Sequence, residues 1–271
     1  MLKNFRYELS FKNILQLEYK LNFCRSNKLN KINIPCKGII KKEFLLQIID
    51  YIGENYYDLD VVYHYSLYHQ YTKNRNTSYL EFINFIKKCN TYNNKEILLV
   101  SGSRKRKNFE VLSVLKEFKN YKTSKIDIGI SYNPYLKKYF EVCDERLRFE
   151  KKFLSGLTKS IWLQFGTDIK LIETEINFLK KFILNYSSNY EQNVKIFGSV
   201  LIPSRQFISR FKFRPWKGVY ISDMYLNSLD DFYSFTKDLI AIYLDNNICP
   251  VIETDISSLE KLDEIYTLLK H

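Results

Sequence analysis

Asp60-Val61-Val62-Tyr63-His64 and Glu96-Ile97-Leu98-Leu99-Val100 are two short apolar runs that flank a segment of helical period, from about Ser78 to Lys88. Short runs rich in β-branched and aromatic residues are typical of buried strands, and a longer periodic segment between them is typical of a crossover helix. A strand, a helix and a second strand in this order form a parallel βαβ unit. This stretch therefore predicts an α/β fold with a parallel sheet.

The same alternation continues on both sides of this stretch. Further strand-like runs cover Phe5–Leu9, Lys31–Pro35, Lys125–Ile130, Ser160–Gln164, Val194–Leu201 and Pro250–Glu253. Segments of helical period cover Asn13–Arg25, Lys41–Ile49, Phe109–Phe118, Asp144–Leu154, Ile169–Asn185, Arg205–Phe211, Leu229–Leu244 and Ser258–Lys270. The pattern gives about eight βα units, the number that closes a parallel sheet into a (β/α)₈ TIM barrel.

Length and composition agree with one barrel. The chain has 271 residues, of which 45% are hydrophobic, and a barrel of this kind takes about 250 residues. We therefore predict a single domain over residues 1–271. The alternative is an open doubly wound sheet, which would need a dinucleotide-binding fingerprint, but glycine does not cluster as GxGxxG after the first strand.

The chain is strongly basic, with a formal net charge of +12. An anionic partner would explain this, and so would the heavy use of Lys, Asn, Ile, Tyr and Phe along the whole chain. We interpret the charge mainly as biased composition and expect no nucleic-acid partner. The competing hypothesis is single-strand binding by two basic segments, Arg104–Lys107 and Arg205–Lys217, the second of which interleaves aromatic residues with cations.

Five scattered cysteines form no CxxC pair, which argues against a disulfide framework or a structural zinc site. We predict no metal site. No apolar run is long enough to span a membrane, and Met1–Phe5 leads directly into a strand-like pattern without a signal-peptide pattern. We therefore expect a reducing compartment, the cytoplasm or an organelle, and not secretion. The oligomeric state is left open.

In a parallel barrel the carboxyl ends of the strands and the loops after them build the site. Two of these positions stand out. Glu8 lies between Tyr7 and Leu9 within a strand and so faces opposite to both, into the barrel mouth or into a barrel ion pair. His64 ends the third strand, where it can bond a ligand or cap the strand. The residues at strand ends are Glu8, Pro35-Cys36-Lys37, His64-Tyr65, Ser101-Gly102-Ser103, Tyr132-Asn133, Gln164, Pro203-Ser204 and Glu253.

Two further strand ends suit polar ligands. Ser101-Gly102-Ser103 precedes four consecutive cations, and its small residues would let backbone N–H groups approach a phosphate, although a solvated basic turn explains the pattern equally well. Gln164 is a side-chain amide that can donate to and accept from a heteroaromatic ligand.

Seven motifs at these positions share a pattern: Tyr7-Glu8-Leu9, His64, Val100-Ser101-Gly102-Ser103, Ser131-Tyr132-Asn133-Pro134, Lys152-Phe153-Leu154-Ser155-Gly156, Ile161-Trp162-Leu163-Gln164-Phe165 and Phe197-Gly198-Ser199-Val200-Leu201-Ile202-Pro203. Together they resemble the methylenetetrahydrofolate reductase family of flavin-dependent barrels. The resemblance runs from Glu8 to about Pro203.

The resemblance implies an oxidoreductase of one-carbon metabolism, in which a reduced nicotinamide passes hydride through FAD to a folate-like substrate. By matching position it makes Glu8 the catalytic proton donor and Gln164 a substrate contact. Ser101-Gly102-Ser103 stands where the family has Arg-Gly-Asp, which motivates the alternative of a diverged barrel that binds a pterin or nucleotide without redox turnover. The residues that it implies for FAD binding are His64, Ser101, Gly102, Ser103, Tyr132 and Lys152.

Overall fold

Eight parallel strands close into a barrel in the computed structural model of the protein, in the order β1-β2-β3-β4-β5-β6-β7-β8. The strand order follows the chain order, so each βα unit places its strand beside the strand before it. The predicted (β/α)₈ barrel is therefore confirmed. The structure describes residues 4–37, 40, 42–102, 109–121, 125–140, 144–187, 193–256 and 258–269.

The strands are β1 Arg6–Glu8, β2 Lys31–Ile34, β3 Asp60–Ser66, β4 Glu96–Val100, β5 Asp127–Tyr132, β6 Thr158–Leu163, β7 Lys195–Val200 and β8 Cys249–Ile252. The helices are α1 Ile14–Ser26, α2 Lys42–Asn55, α3 Arg75–Thr91, α4 Val111–Phe118, α5 Leu136–Phe140, α6 Glu145–Phe153, α7 Ile169–Ser187, α8 Arg205–Phe213, α9 Asp223–Asn227, α10 Leu229–Asp245 and α11 Leu259–Leu269.

The apolar core lies mainly between the strands and the surrounding helices. Alternate residues of each strand point outward into this layer, and they are the aromatic and β-branched ones, such as Tyr7, Ile32 and Tyr63, all fully buried. Leu, Ile and Phe of the helices cover them, for example Ile48 and Phe82. Burial of this layer is the main stabilising contribution to the barrel.

A second, smaller apolar cluster fills the middle of the barrel. Its members are Val62, Leu98, Trp162, Phe197 and Val251. The rings of Trp162 and Phe197 stack with centroids 4.0 Å apart. Gly129 makes room for this stack, because a Cβ there would lie 2.4 Å from the indole nitrogen of Trp162. The cluster separates the two ends of the barrel, and inward-facing polar residues lie above and below it.

Two short helices, α5 and α9, were not expected, and β5 lies two residues later than the predicted run over Lys125–Ile130. The strand continues through Ser131 and Tyr132, whereas the predicted run ends at Ile130 and has Tyr132 among the strand-end residues. Five-residue helices are too short to produce a clear periodic pattern. Within the described residues, no helix is both long and apolar enough to cross a membrane.

Candidate active site

A cavity of about 470 Å³ opens at the carboxyl ends of the strands, above the Trp162–Phe197 layer. Seven of the eight strands, or the residues that directly follow them, bring a polar side chain to this cavity. The remaining strand, β4, contributes the apolar Leu98 and Val100. The polar groups that line it belong to Glu8, Asn33, Lys37, His64, Ser131, Gln164, Ser199, Lys217 and Glu253. We call this cavity the mouth.

Glu8 is the central anion of the mouth. Its side chain is only 6% exposed, and Lys37, which follows β2, donates a 2.8 Å hydrogen bond to Oε1. The register brings the two residues to the same end of the barrel, because Glu8 lies beside Asn33 and Lys37 follows the end of β2 by three residues. The sequence therefore placed Glu8 correctly on the inner face of β1.

His64 is held in one orientation by a hydrogen-bonded chain from below. The buried Arg6 donates from Nε to Oδ1 of Asn33 at 2.8 Å, which fixes the Asn33 amide. Nδ2 of Asn33 then lies 3.3 Å from Nε2 of His64. Since an amide nitrogen only donates, Nε2 accepts and the ring proton resides on Nδ1. Nδ1 faces Oε2 of Glu8 at 3.9 Å.

The ring of His64 is neutral at physiological pH. Burial lowers the pKa of His64 to about 4, and the nearby cations Lys37 and Arg6 lower it as well, against the opposing effect of Glu8. With one nitrogen occupied by Asn33 and the other protonated, His64 offers the mouth an N–H donor and not a free base.

Glu253 is the second carboxyl group of the mouth and follows β8 directly. Tyr7 pairs with Ile252, so the next residues, Glu8 and Glu253, end neighbouring strands. Burial and the charge of Glu8 raise the pKa of Glu253 to about 7. Oγ of Ser199 donates a 2.6 Å hydrogen bond to Oε1 of Glu253, which holds the group in place. At neutral pH a large share of Glu253 therefore carries a proton.

The segment between α8 and α9 forms one wall of the mouth. It contributes Trp216 and Lys217, and Asn133 holds it by donating from Nδ2 to the carbonyl oxygen of Gly218 at 2.8 Å. Gln164, which follows β6, also lines the mouth. Trp216 and Lys217 belong to the basic aromatic segment that suggested single-strand binding, and the structure places both in the mouth.

Two of the predicted FAD-binding residues lie away from the mouth. Tyr132 faces outward from β5 and is buried, and its hydroxyl donates to Glu175 of α7. Lys152 is buried on α6, where Nζ donates to the Ser131 carbonyl oxygen at 2.9 Å and lies 3.5 Å from Oε1 of Glu145. These contacts join helices to the outer face of the barrel, and they account for the position of both residues without a ligand.

The predicted phosphate loop is described only in part. Ser101 and Gly102 follow β4, and the carbonyl oxygen of Ser101 accepts from the Tyr68 amide at 3.1 Å. Neither residue lines the mouth. Ser103 and the cations Arg104–Lys107 lie outside the described residues.

Several mouth residues were not among the predicted site residues: Asn33, Lys37, Ser199, Trp216, Lys217 and Glu253. Lys37 and Glu253 follow strand ends, but many other residues of the chain do so too. Position alone therefore does not select these two. Asn33 had a usable signal. It is a polar residue inside the run Ile32-Asn33-Ile34, so strand alternation points it into the barrel.

Comparisons with known proteins support the fold. No family model matches the chain, and no curated protein matches it significantly. Among solved structures, a protein from Burkholderia cenocepacia J2315 whose description assigns it as a phosphonomutase matches with a TM-score of 0.54 at 8% identity. The match covers 98% of this chain and 92% of that protein. At this identity the likeness shows the barrel fold.

This match corrects the family resemblance. The barrel that matches nearly the whole chain is assigned as a phosphonomutase. The predicted membership of the methylenetetrahydrofolate reductase family is therefore wrong. The flavin-dependent reductase function and the one-carbon and folate assignments fall with it, and nothing favours the pterin- or nucleotide-binding alternative. Short polar motifs at strand ends recur in any parallel barrel, which explains the misleading resemblance. FAD and a reduced nicotinamide stay untested predictions that rested on the resemblance alone.

Proposed function

We propose that the protein is an enzyme that transfers protons to and from a small anionic substrate bound in the mouth. One observation carries the proposal: two carboxyl groups, Glu8 and Glu253, end neighbouring strands in unlike environments. Glu8 is paired with a cation, whereas the pKa of Glu253 is raised to about 7. Pairs of titratable groups held in unlike environments are typical of acid and base partners in catalysis.

Glu253 is the proton donor in this proposal. A general acid is most effective when its pKa lies near the working pH, and a pKa of about 7 meets that condition. Ser199 holds Oε1, so the other carboxyl oxygen, Oε2, is the one that presents the proton to the substrate.

Glu8 is the proton acceptor. Its Oε1 accepts from Lys37, and its Oε2 lies 3.9 Å from Nδ1 of His64. His64 acts as a fixed N–H donor that orients the Glu8 carboxylate or a substrate oxygen, because Asn33 occupies its other nitrogen. A proton removed by Glu8 and a proton delivered by Glu253 balance an isomerisation, and they also serve an elimination in which the leaving group takes the second proton.

The walls of the mouth suit a small anion. Lys217 brings an ammonium group to the rim, Lys37 brings a second one that is paired with Glu8, and Trp216 adds an apolar surface. The volume of about 470 Å³ is within the usual range for small-molecule sites, roughly 300 to 1,000 Å³. The likeness to a barrel assigned as a phosphonomutase supports the scaffold of the proposal, since that description is of an enzyme of the same fold.

Deuterium incorporation detects proton transfer whatever the product of the reaction is. The protein is incubated in D₂O with a panel of small carboxylates, phosphates and phosphonates, and NMR detects loss of substrate C–H signals. We expect at least one compound to exchange. Glu8→Gln and Glu253→Gln should each abolish the exchange, because each removes one half of the acid–base pair.

The matched control is Glu173→Gln, which removes an exposed carboxylate of α7 outside the mouth. It should exchange at the wild-type rate. Failure of every compound both to exchange and to raise the melting temperature would refute the proposal. So would exchange that persists in the Glu8→Gln/Glu253→Gln double variant.

A further inference from the structure

A second cavity, larger than the mouth, opens at the amino ends of the strands. Its volume is about 760 Å³, and its walls come from the starts of β1, β2, β3, β4, β5, β7 and β8 together with α7. The Trp162–Phe197 layer separates it from the mouth, and Phe197 forms part of its inner end. We call it the base cavity. Nothing in the acid–base chemistry of the mouth uses it.

Cations converge on the base cavity from distant parts of the chain. Five basic side chains line it, against three acidic ones. Arg6 pairs with Asp60 at 2.9 Å, which neutralises one of each. The remaining basic residues are Lys31, Lys95, Lys180 and Lys195, and the remaining acidic ones are Glu96 and Asp127.

Within the described residues, no close ion pair offsets the charge of these lysines. Nζ of Lys31 donates to the Asn4 carbonyl oxygen at 3.3 Å and Nζ of Lys180 donates to Oδ1 of Asn246 at 2.7 Å, and both acceptors are neutral. Within the part of the chain that the structure describes, no salt bridge engages Lys95 or Lys195. Glu96 is buried and accepts a hydrogen bond from Ser160; burial raises the pKa of its carboxyl group, and the nearby charges of Arg6 and Lys195 act in the opposite direction.

One wall of the base cavity is apolar. Ile183 and Leu184 of α7 face it next to Lys180, and Val194 and Ile196 continue the surface along β7. Leu184 is 71% exposed, so a leucine stands at the rim largely open to solvent. A site with separated cations and an apolar flank matches a ligand that has two or more anionic groups on an apolar body.

We propose that the base cavity binds an organic diphosphate. Lys95 and Lys195 engage the diphosphate oxygens, and Leu184 contacts the organic part. A general bias toward lysine explains the net charge of +12. It does not explain why residues 31, 95, 180 and 195, which are far apart in the sequence, line one cavity. The proposal is independent of the proton transfer assigned to the mouth.

Calorimetric titration of the full chain tests the proposal with three compounds. Geranyl diphosphate and ADP carry a diphosphate on different organic groups. Inorganic pyrophosphate is the same diphosphate without an organic group. We expect at least one organic diphosphate to bind more tightly than pyrophosphate. The double variant Lys95→Met/Lys195→Met should weaken binding of the organic diphosphate about tenfold or more, because one charge-assisted hydrogen bond is worth about that factor. Leu184→Ser should weaken binding of the organic diphosphate but not binding of pyrophosphate.

The matched control is Lys116→Met/Lys151→Met, which removes two exposed lysines from α4 and α6 outside the cavity. Equal weakening by both double variants would assign the binding to net charge and overturn the proposal. Absence of binding by all three compounds would overturn it too. Loss of binding in Lys37→Met with retention in Lys95→Met/Lys195→Met would place the ligand in the mouth instead.

A chemical footprint gives an independent readout. Cys249 lines the base cavity, is partly exposed and has a free thiol. Burial raises its pKa, so alkylation is followed at mildly alkaline pH. A bound organic diphosphate should slow maleimide labelling of the Cys249 peptide, measured by mass spectrometry. Unchanged labelling at saturating ligand would show that the ligand binds elsewhere.

Discussion

The proton on Glu253 links the mouth to the stability of the fold. The pKa of this carboxyl group rises from 4.5 to about 7 on folding, so the folded state keeps a proton that the unfolded chain releases between these values. The free energy of unfolding therefore falls as the pH rises through this window. The loss amounts to about 3 kcal/mol when complete, at about 1.4 kcal/mol for each pKa unit.

Glu253→Gln should remove this pH dependence. The amide oxygen still accepts from Ser199 but never ionises, so the variant should match the wild type near pH 4 and exceed its stability at pH 8 by about 2 to 3 kcal/mol. Urea unfolding at both pH values measures the difference, and Glu173→Gln serves as the control. If the wild type and Glu253→Gln differed in stability by the same amount at pH 4 and at pH 8, the raised pKa of Glu253 would be disproved.

His64 should not titrate above pH 5. Its pKa of about 4 leaves the ring neutral, with the proton on Nδ1. Imidazole ¹⁵N NMR distinguishes the two tautomers, and His64→Gln identifies the signal. Asn33→Leu should remove the single-tautomer pattern, because the Asn33 amide then no longer donates to Nε2. A wild-type signal that shifts between pH 6 and pH 8 would contradict this assignment.

At the scale of elements, alternation of residues along the strands was sufficient to predict the barrel. Tyr7 and Tyr63 point outward as expected for a parallel sheet covered by helices. The connection that carries Trp216 and Lys217 could not be placed in the same way. Its position depends on the hydrogen bond from Asn133, which lies 85 positions before its acceptor. A contact between residues so far apart cannot be predicted from local sequence.

Gly218→Ala should disturb the mouth through this connection. Gly218 has φ of +82°, and an added Cβ would lie 3.4 Å from Nδ2 of Asn133. We expect a loss of about 1 kcal/mol in the free energy of unfolding, from the left-handed backbone, and a several-fold loss of deuterium exchange in the mouth.

Gly156→Ala is the control for this variant. Gly156 has φ of +79° and no atom within 4 Å of its added Cβ. Its stability loss should be similar, and its deuterium exchange should equal that of the wild type. Equal loss of exchange in both variants would mean that stability, and not the position of Trp216 and Lys217, controls the mouth.

At the scale of the whole molecule, a polar chain runs along the inside of the barrel. It passes from Asp60 through Arg6 and Asn33 to His64 and on to Glu8. The sequence revealed its upper end, since Glu8 and His64 were predicted at the mouth. Strand alternation could have indicated that Asn33 faces inward, but the partners of Arg6 and Asn33 lie on other strands, and local sequence does not show them.

Arg6→Met should destabilise the fold by about 2 to 4 kcal/mol, because buried oxygen atoms of Asn33 and Ile32 then lose their donor. Arg6→Met/Asn33→Leu should recover part of the loss, since both partners of one buried hydrogen bond are replaced by apolar groups. Urea unfolding of the two single variants and the double variant measures the coupling. Simple additivity would show that the two side chains do not act as a unit.

The polar chain also predicts how the protein would evolve in a laboratory. Apolar side chains of similar volume can replace a buried polar network without loss of stability. A library randomised at residues 6 and 33 and selected only for resistance to proteolysis should drift toward apolar pairs. Selection for proton exchange in the mouth should instead recover Arg6 and Asn33. The divergence between the two populations would measure how strongly function, and not folding, maintains this part of the barrel.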